Sequence, residues 1–177
     1  MDNMKISRYI KFPLSFGLLM VLACLLSVSH FSFNEILGWF VLGAVCGIGM
    51  QFYSDYRTRK IKPDAEEKDF VLPQKRETFL LCSYDEAFDL CLESVSHLRK
   101  GKVKTAAKEK GFIKAKTGMN WNSWGNIIEF KLKQLTENLT EIEIFAKPIP
   151  GTTLIDNGTG LEAIETIQSV FNRKMRR

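Results

Sequence analysis

Two apolar stretches lie back to back near the start of this 177-residue chain, over residues 12–34 and 36–54, with Glu35 as the single charge between them. Neither stretch contains an Asp, Glu, Lys or Arg. A helix needs about 20 apolar residues to cross the hydrocarbon core of a bilayer. Inside that core the backbone must satisfy its own polar groups, which a helix does. The two stretches are therefore expected to form a transmembrane hairpin over residues 1–54, with spans at about 12–31 and 36–54. The first stretch carries some marks of a secretory signal: Lys5, Arg8 and Lys11 precede it, and small residues occur at Ser27 and Ser29. It is long for such a signal and a second span follows at once, so it is read as an uncleaved helix.

The basic residues give an orientation. Lys5, Arg8 and Lys11 lie before the first span, Arg57, Arg59, Lys60 and Lys62 lie after the second, and the turn from His30 to Glu35 has neither Lys nor Arg. Positively charged flanks stay inside, so both termini are expected in the cytoplasm of a multi-pass inner (plasma) membrane protein, with the lipid bilayer as its first partner. Cys24, Cys46, Cys82 and Cys91 show no CxxC or His-paired spacing and are read as reduced, buried residues. The acceptor triplets at Asn138 and Asn157 are expected to stay unglycosylated on that side. The net charge of +5 is too modest to suggest nucleic acid as a partner.

Ionisable groups inside spans usually mark a translocation path, and their absence here argues against transport. Gly43 and Gly47 form a GxxxG, flanked by Gly38 and Gly49. Small residues at that spacing let two helix backbones approach closely. The partner is either the first span of the same chain or a second copy in a homodimer. Trp39 near one end of the span, and Phe52 and Tyr53 near the other, fit the aromatic belts of a bilayer interface.

Residues 55–77 read as a charged linker with Pro63 and Pro73, and the polar segment 63–69 is expected to be poorly ordered. A cytoplasmic α+β domain follows over 78–177. It opens with a short apolar strand at 78–82. Ser83 and Glu86 then form a capping box before a helix that buries Phe88, Cys91, Leu92, Val95 and Leu98, with Gly101 as its stop. Lysines at 102, 104, 108, 110, 114 and 116 alternate with Val103, Thr105, Ala107, Ile113, Ala115 and Thr117, the period of a half-buried strand pair. A three-residue loop at 109–111, with Gly111 left-handed, would pair Lys108 with Phe112 and keep the lysines on one face. Strands at 126–133 and 141–147 place Ile128, Phe130, Leu132 and Ile142, Ile144, Ala146 inward. Thr159 and Glu162 form a second capping box before a helix with Leu161, Ile164, Ile167 and Phe171 inward and a basic end.

The expected fold is thus a two-helix transmembrane hairpin plus a two-layer α+β domain. Its order is β-α-β-β-β-β-α, an antiparallel sheet with two helices on one face. At the level of element order this domain resembles the TBP-like, or helix-grip, arrangement. That resemblance implies room for an apolar ligand between sheet and helix, and carries over no residue. The overall plan resembles that of small bacterial inner-membrane proteins.

Candidate chemistry is sparse. His30 falls at the turn, and His97 lies opposite the apolar stripe of its helix; neither has a nucleophile or carboxylate set beside it. Residues 156–160 (Asp, Asn, Gly, Thr, Gly) suggest a phosphate cradle. They lack its lysine, and Asp156 would repel an anion, so a turn and helix cap account for them. Lys102, Lys104, Lys108, Lys114 and Lys116 are candidates for contact with an anionic surface, at about 1 kcal/mol per basic residue. The competing account is a solvated face partly neutralised by Glu129, Glu141 and Glu143. Phe112 and Phe145 on that face echo a base-stacking platform only faintly. The loop holding Trp121 and Trp124, bounded by Gly118 and Gly125, either closes one end of the core, touches the membrane or meets a protein partner. No catalytic, metal or cofactor site is expected. The leading expectation is a non-enzymatic, membrane-anchored binding or scaffold module working through an unknown protein partner or self-association. The alternative is a binder of a lipid or other apolar ligand in a sheet–helix cavity.

Overall fold

The computed structural model describes residues 3–27, 32–121, 123–150 and 156–175, with side chains from residue 9 onward. His30 and the start of the turn between the apolar helices lie outside the described residues. Helix α1 spans Asn3–Ser27 and α2 spans Phe33–Ile61. Both are long and apolar enough to cross a membrane. Ser32 caps α2: its side chain accepts from the Glu35 amide, and the Glu35 carboxylate accepts from the Ser32 amide at 2.8 Å. The charge expected within the inter-span turn is thus part of the first turn of α2.

The two helices pack antiparallel through their small residues. A Cβ on Gly43 would stand 2.8 Å from the Gly17 Cα, and one on Gly47 would stand 2.8 Å from the Pro13 Cα. The GxxxG is therefore occupied by α1 of the same chain. Further along, the Tyr9 hydroxyl donates to Asp55 at 2.7 Å and the Gln51 amide donates to its other oxygen at 2.9 Å. Leucines such as Leu18 and Leu26 point outward, uncovered by protein.

Helix α2 does not stop at residue 54. It runs to Ile61, with Thr58 buried against the folded domain. The segment expected to be loose is also structured: Glu67–Phe70 form a 3-10 turn, and Asp69, almost wholly buried, ion-pairs with Lys62 at 3.1 Å and with Arg76. Its polarity signals ion pairing instead of disorder.

The strands are β1 (Gln74–Leu80), β2 (Lys102–Ala107), β3 (Phe112–Lys116), β4 (Asn126–Thr136) and β5 (Leu139–Pro148). They form one open antiparallel sheet in the order β1-β5-β4-β3-β2. Helices α3 (Tyr84–Ser96) and α4 (Thr159–Met175) cover one face. Ile128, Phe130, Ile142 and Ile144 meet Ile164, Ile167 and Phe171, all of them buried. Among the described residues these side chains fill the middle of the sheet–helix interface, where a cavity was expected.

Three local expectations need correction. Strand β1 starts four residues before 78, and Leu81 is exposed; its inward residues Gln74 and Arg76 are polar because the turn bearing Asp69 lies over them. In the β2–β3 hairpin Ala107, not Lys108, pairs with Phe112, and a bulge between Val103 and Thr105 absorbs the one-residue slip. Gly111 is left-handed at φ 59°, but it closes a four-residue connection that includes the 3-10 turn Lys108–Lys110. Helix α4 is capped by Asp156, whose two oxygens accept from Gly158 and Gly160 at 2.9 and 2.8 Å, while Thr159 is engaged elsewhere. Ser83 and Glu86, by contrast, form their capping box on α3.

The register fixes which connections share an end of the domain. Gln74, Ala146, Ile128, Ala115 and Val103 stand in one row across the five strands. Just beyond that row lie the α2–β1 segment, the α3–β2 connection, the β3–β4 loop with the tryptophans, and the β5–α4 connection. The β2–β3 and β4–β5 turns lie at the opposite end.

Candidate functional site

The first of these ends is open. The β3–β4 loop leaves the sheet at Thr117, whose hydroxyl accepts from the Asn126 amide at 2.7 Å. Asn120 and Ser123 exchange backbone hydrogen bonds and pinch the loop into a tight turn. That turn throws its large side chains outward: Trp121 is 103% exposed, Trp124 68% and Met119 59%. The tryptophans do not close the core, so that expectation is corrected.

Cavities surround this loop. An open cleft of about 800 Å³ lies against Arg99, Met119, Trp121, Trp124, Ile149 and Pro150. A second pocket of about 200 Å³ shares Arg99, Asn120 and Ser123 with it and is also lined by Asn126, Thr159 and Ala163. Asn126 is 2% exposed; its amide nitrogen donates to the Thr159 hydroxyl at 3.0 Å, and its Oδ1 is buried with no hydrogen-bond partner. A buried polar atom left without a partner departs from the usual satisfaction of buried polar groups, and this one is closed to solvent. A third space, about 530 Å³, lies on the β2 side of Trp124 and is lined by Lys100, Lys102, Lys104 and Lys116.

The candidate lysines are divided by the fold. Lys102 and Lys116 are directly cross-strand neighbours, and Lys104 sits at the bulge. Lys114 pairs with Glu129 at 3.2 Å on the outer face. Lys108 is drawn to the helix side, 2.9 Å from Asp85, which also raises its pKa, while the Tyr84 hydroxyl donates to the Lys108 carbonyl. The expected single lysine face therefore splits at the turn. Lys100, which the alternation did not include, joins the cleft group. Its backbone is left-handed at φ 51°, and its stem lies where a Cβ on Gly118 would fall. Spacing alone gave no sign of that, since Lys100 precedes the strand.

Titratable groups elsewhere offer little reactivity. Burial pushes the Cys91 thiol far above its ordinary value, and burial likewise raises that of Cys82. Thiols shifted that way are not nucleophiles at neutral pH. Among the described residues no group of three His, Cys, Asp or Glu is placed to hold a metal ion. His97 is exposed, 3.4 Å from Arg173. Burial raises the Asp156 carboxyl at the rim of the large cleft, against the amides of Gly160 and Gly158, which lower it.

No family model and no curated protein matches the chain. Among solved structures it is similar to the di-domain ARO/CYC StfQ from the steffimycin biosynthetic pathway, at 10% identity and a TM-score of 0.29. The match covers 81% of this chain and 61% of the other, so the chain spans about three-fifths of that protein's length. In broad outline, an open sheet with helices on one face is compatible with the helix-grip arrangement. The scaffold expectation is set aside. Its motive, a GxxxG face open to a second copy, is spent on α1 within one chain. The cavities described above lie at the open end of the domain and not at the sheet–helix centre.

Proposed function

We propose that the α+β domain binds an apolar or lipid-like ligand at its open end, and that α1 and α2 hold the domain at a membrane. The observation that carries the first part is the pair of adjoining cavities. Small-molecule sites are concave, mostly apolar and furnished with a few convergent polar groups, at about 300–1,000 Å³. Here a cleft walled by Trp121, Trp124, Met119 and Ile149 adjoins a second pocket, lined in part by Asn126, through the shared residues Arg99, Asn120 and Ser123. Those walls suit a hydrocarbon chain or ring system. The second part rests on two long apolar helices with large hydrophobic side chains turned outward, among them Leu14, Leu18 and Leu26 on α1 and Leu37, Val45 and Phe52 on α2. A water-filled surrounding would leave that area exposed, at roughly 25 cal/mol per Å².

The test is photolabelling of the full-length chain, delipidated in detergent, with a diazirine-bearing fatty acid. Saturable label on peptides covering Met119 to Asn126 and Ile149 to Pro150, competed by unlabelled fatty acid and lost in Trp124→Ala, is expected. Label that does not saturate, or that falls only on α1 and α2, would refute ligand binding.

A further inference from the structure

The open end also faces the direction from which α2 arrives. Helix α2 is unbroken from Phe33 to Ile61, so the domain's position relative to the apolar span is set by the helix itself. From Tyr53, at the end of the apolar run, to Thr58, where α2 meets the domain beside Gly158, is five residues. At 1.5 Å per residue that is about 7–8 Å. The polar layer on each side of a bilayer core is roughly 5–8 Å deep. With α2 across a bilayer, the corner where it meets the domain beside Gly158 would stand at headgroup depth.

What those connections present fits such a surface. Lys100, Lys102, Lys104 and Lys116 line one cleft, and among the described residues none of them meets a carboxylate. Beside them Trp121 and Trp124 are exposed, the residue type that settles where apolar and aqueous layers meet. A solvated lysine face would not need exposed tryptophans, and a protein-facing aromatic patch would not gather unpaired lysines. A bilayer surface containing anionic lipid satisfies both at once.

We propose that the end of the domain carrying Lys100, Lys102, Lys116, Trp121 and Trp124 rests on the anionic bilayer surface from which α2 emerges. The clefts then open toward the bilayer. The inference rests on α1 and α2 crossing a membrane and not on ligand binding, which is measured separately in detergent.

Single-tryptophan chains in lipid nanodiscs test it. The probe is a brominated phosphatidylcholine, alone or mixed with about one-third phosphatidylglycerol. A chain retaining only Trp39 should be quenched in both discs, which establishes insertion of α2. A chain retaining only Trp121 should be quenched by bromines near the headgroup end, about twofold or more strongly in the anionic disc. Lys100→Glu/Lys102→Glu/Lys116→Glu should abolish that difference, and so should 1 M salt, where the Debye length falls to about 3 Å. Lys108→Gln, at the far end, should leave it intact. Trp121 quenched freely by aqueous iodide and untouched by brominated lipid would overturn the proposal. Lipid quenching indifferent to the three lysines would overturn it as well, and an unquenched Trp39 would remove its premise.

Discussion

Two corners of the same end of the domain are built from basic residues and use them in opposite ways. At the corner where α2 joins β1, Lys62 and Arg76 converge on Asp69, whose side chain is wholly enclosed, and Arg57 approaches Glu162 at 3.9 Å. At the corner beside β2, Lys100, Lys102, Lys104 and Lys116 line open space without a carboxylate among the described residues. Residue type does not distinguish the corners. The difference is where the countercharge comes from. The first corner carries its own and is a joint. The second must find it outside the chain, which is what makes it a candidate for binding.

The largest effect expected from that contrast is at the joint. Asp69→Ala would leave Lys62 and Arg76 facing one another in a site that is 22% and 12% exposed at their side chains. Removing one partner of a buried pair costs about 3–5 kcal/mol. Denaturant unfolding of the detergent-solubilised chain should show a loss of that order. The Lys100→Ala/Lys102→Ala/Lys116→Ala triple should stay within about 0.5 kcal/mol of the parent, as surface changes usually do. Equal losses at the two corners would erase the distinction.

A smaller effect is expected where α2 touches α4. Gly158 has φ 74°, and a Cβ there would lie 3.0 Å from the Ile61 Cδ1 and 3.2 Å from the Thr58 hydroxyl oxygen. Gly158→Ala should cost roughly 1–2 kcal/mol for the left-handed backbone alone, read by the same unfolding curves. A neutral result would mean that the joint yields easily and that α2 does not fix the domain's position.

How far the sequence announced this arrangement depends on the kind of information each part needs. Apolar periodicity was enough for the sheet core and both helices: Ile128, Phe130, Leu132 and Ile142, Ile144, Ala146 are inward, as are Ile164, Ile167 and Phe171. The capping box at Ser83 was legible because its partners are three residues apart. The joint was not, since Asp69, Lys62 and Arg76 resemble a solvated linker until the fold brings them together. The lysine hairpin misled for a related reason. Strict alternation holds only while register holds, and one bulged residue at Lys104 with a four-residue connection moved Lys108 to Asp85 and the helix side. The open end was legible only as a cluster of aromatic residues between two glycines. That its tryptophans point outward depends on the Asn120–Ser123 pinch, which leaves no periodic trace.

Asp156 offers a pH handle at the rim between the corners. Burial lifts its carboxyl above the ordinary value, outweighing the amides of Gly160 and Gly158, which lower it. A raised folded-state pKa means that the folded chain holds this proton more tightly than the unfolded chain does. Its contribution to stability is then full below the unfolded value of about 4 and is lost as pH rises through the folded one. Asp156→Asn removes the titration. Stability of the parent minus that of the variant should therefore fall as pH rises from acid toward neutral. A difference that rises over the same interval would show the two amide donors winning, with Asp156 acting as an ordinary ionised cap.

The smallest stability effect belongs to Trp121, and it sharpens the comparison most. At 103% exposure its ring contributes almost nothing to the core. Trp121→Ala should shift unfolding by no more than about 0.5 kcal/mol, an unusual result for a residue whose burial elsewhere would be worth several times that. A tryptophan kept in water for no gain in stability sets about as much apolar area against solvent as one side chain can. If the change costs as much as a core substitution, the loop is packed in solution and the end of the domain is closed. If it costs nothing while photolabelling or lipid quenching drops, the ring is held ready for something outside the fold, which is the role that the unpaired lysines beside it also require.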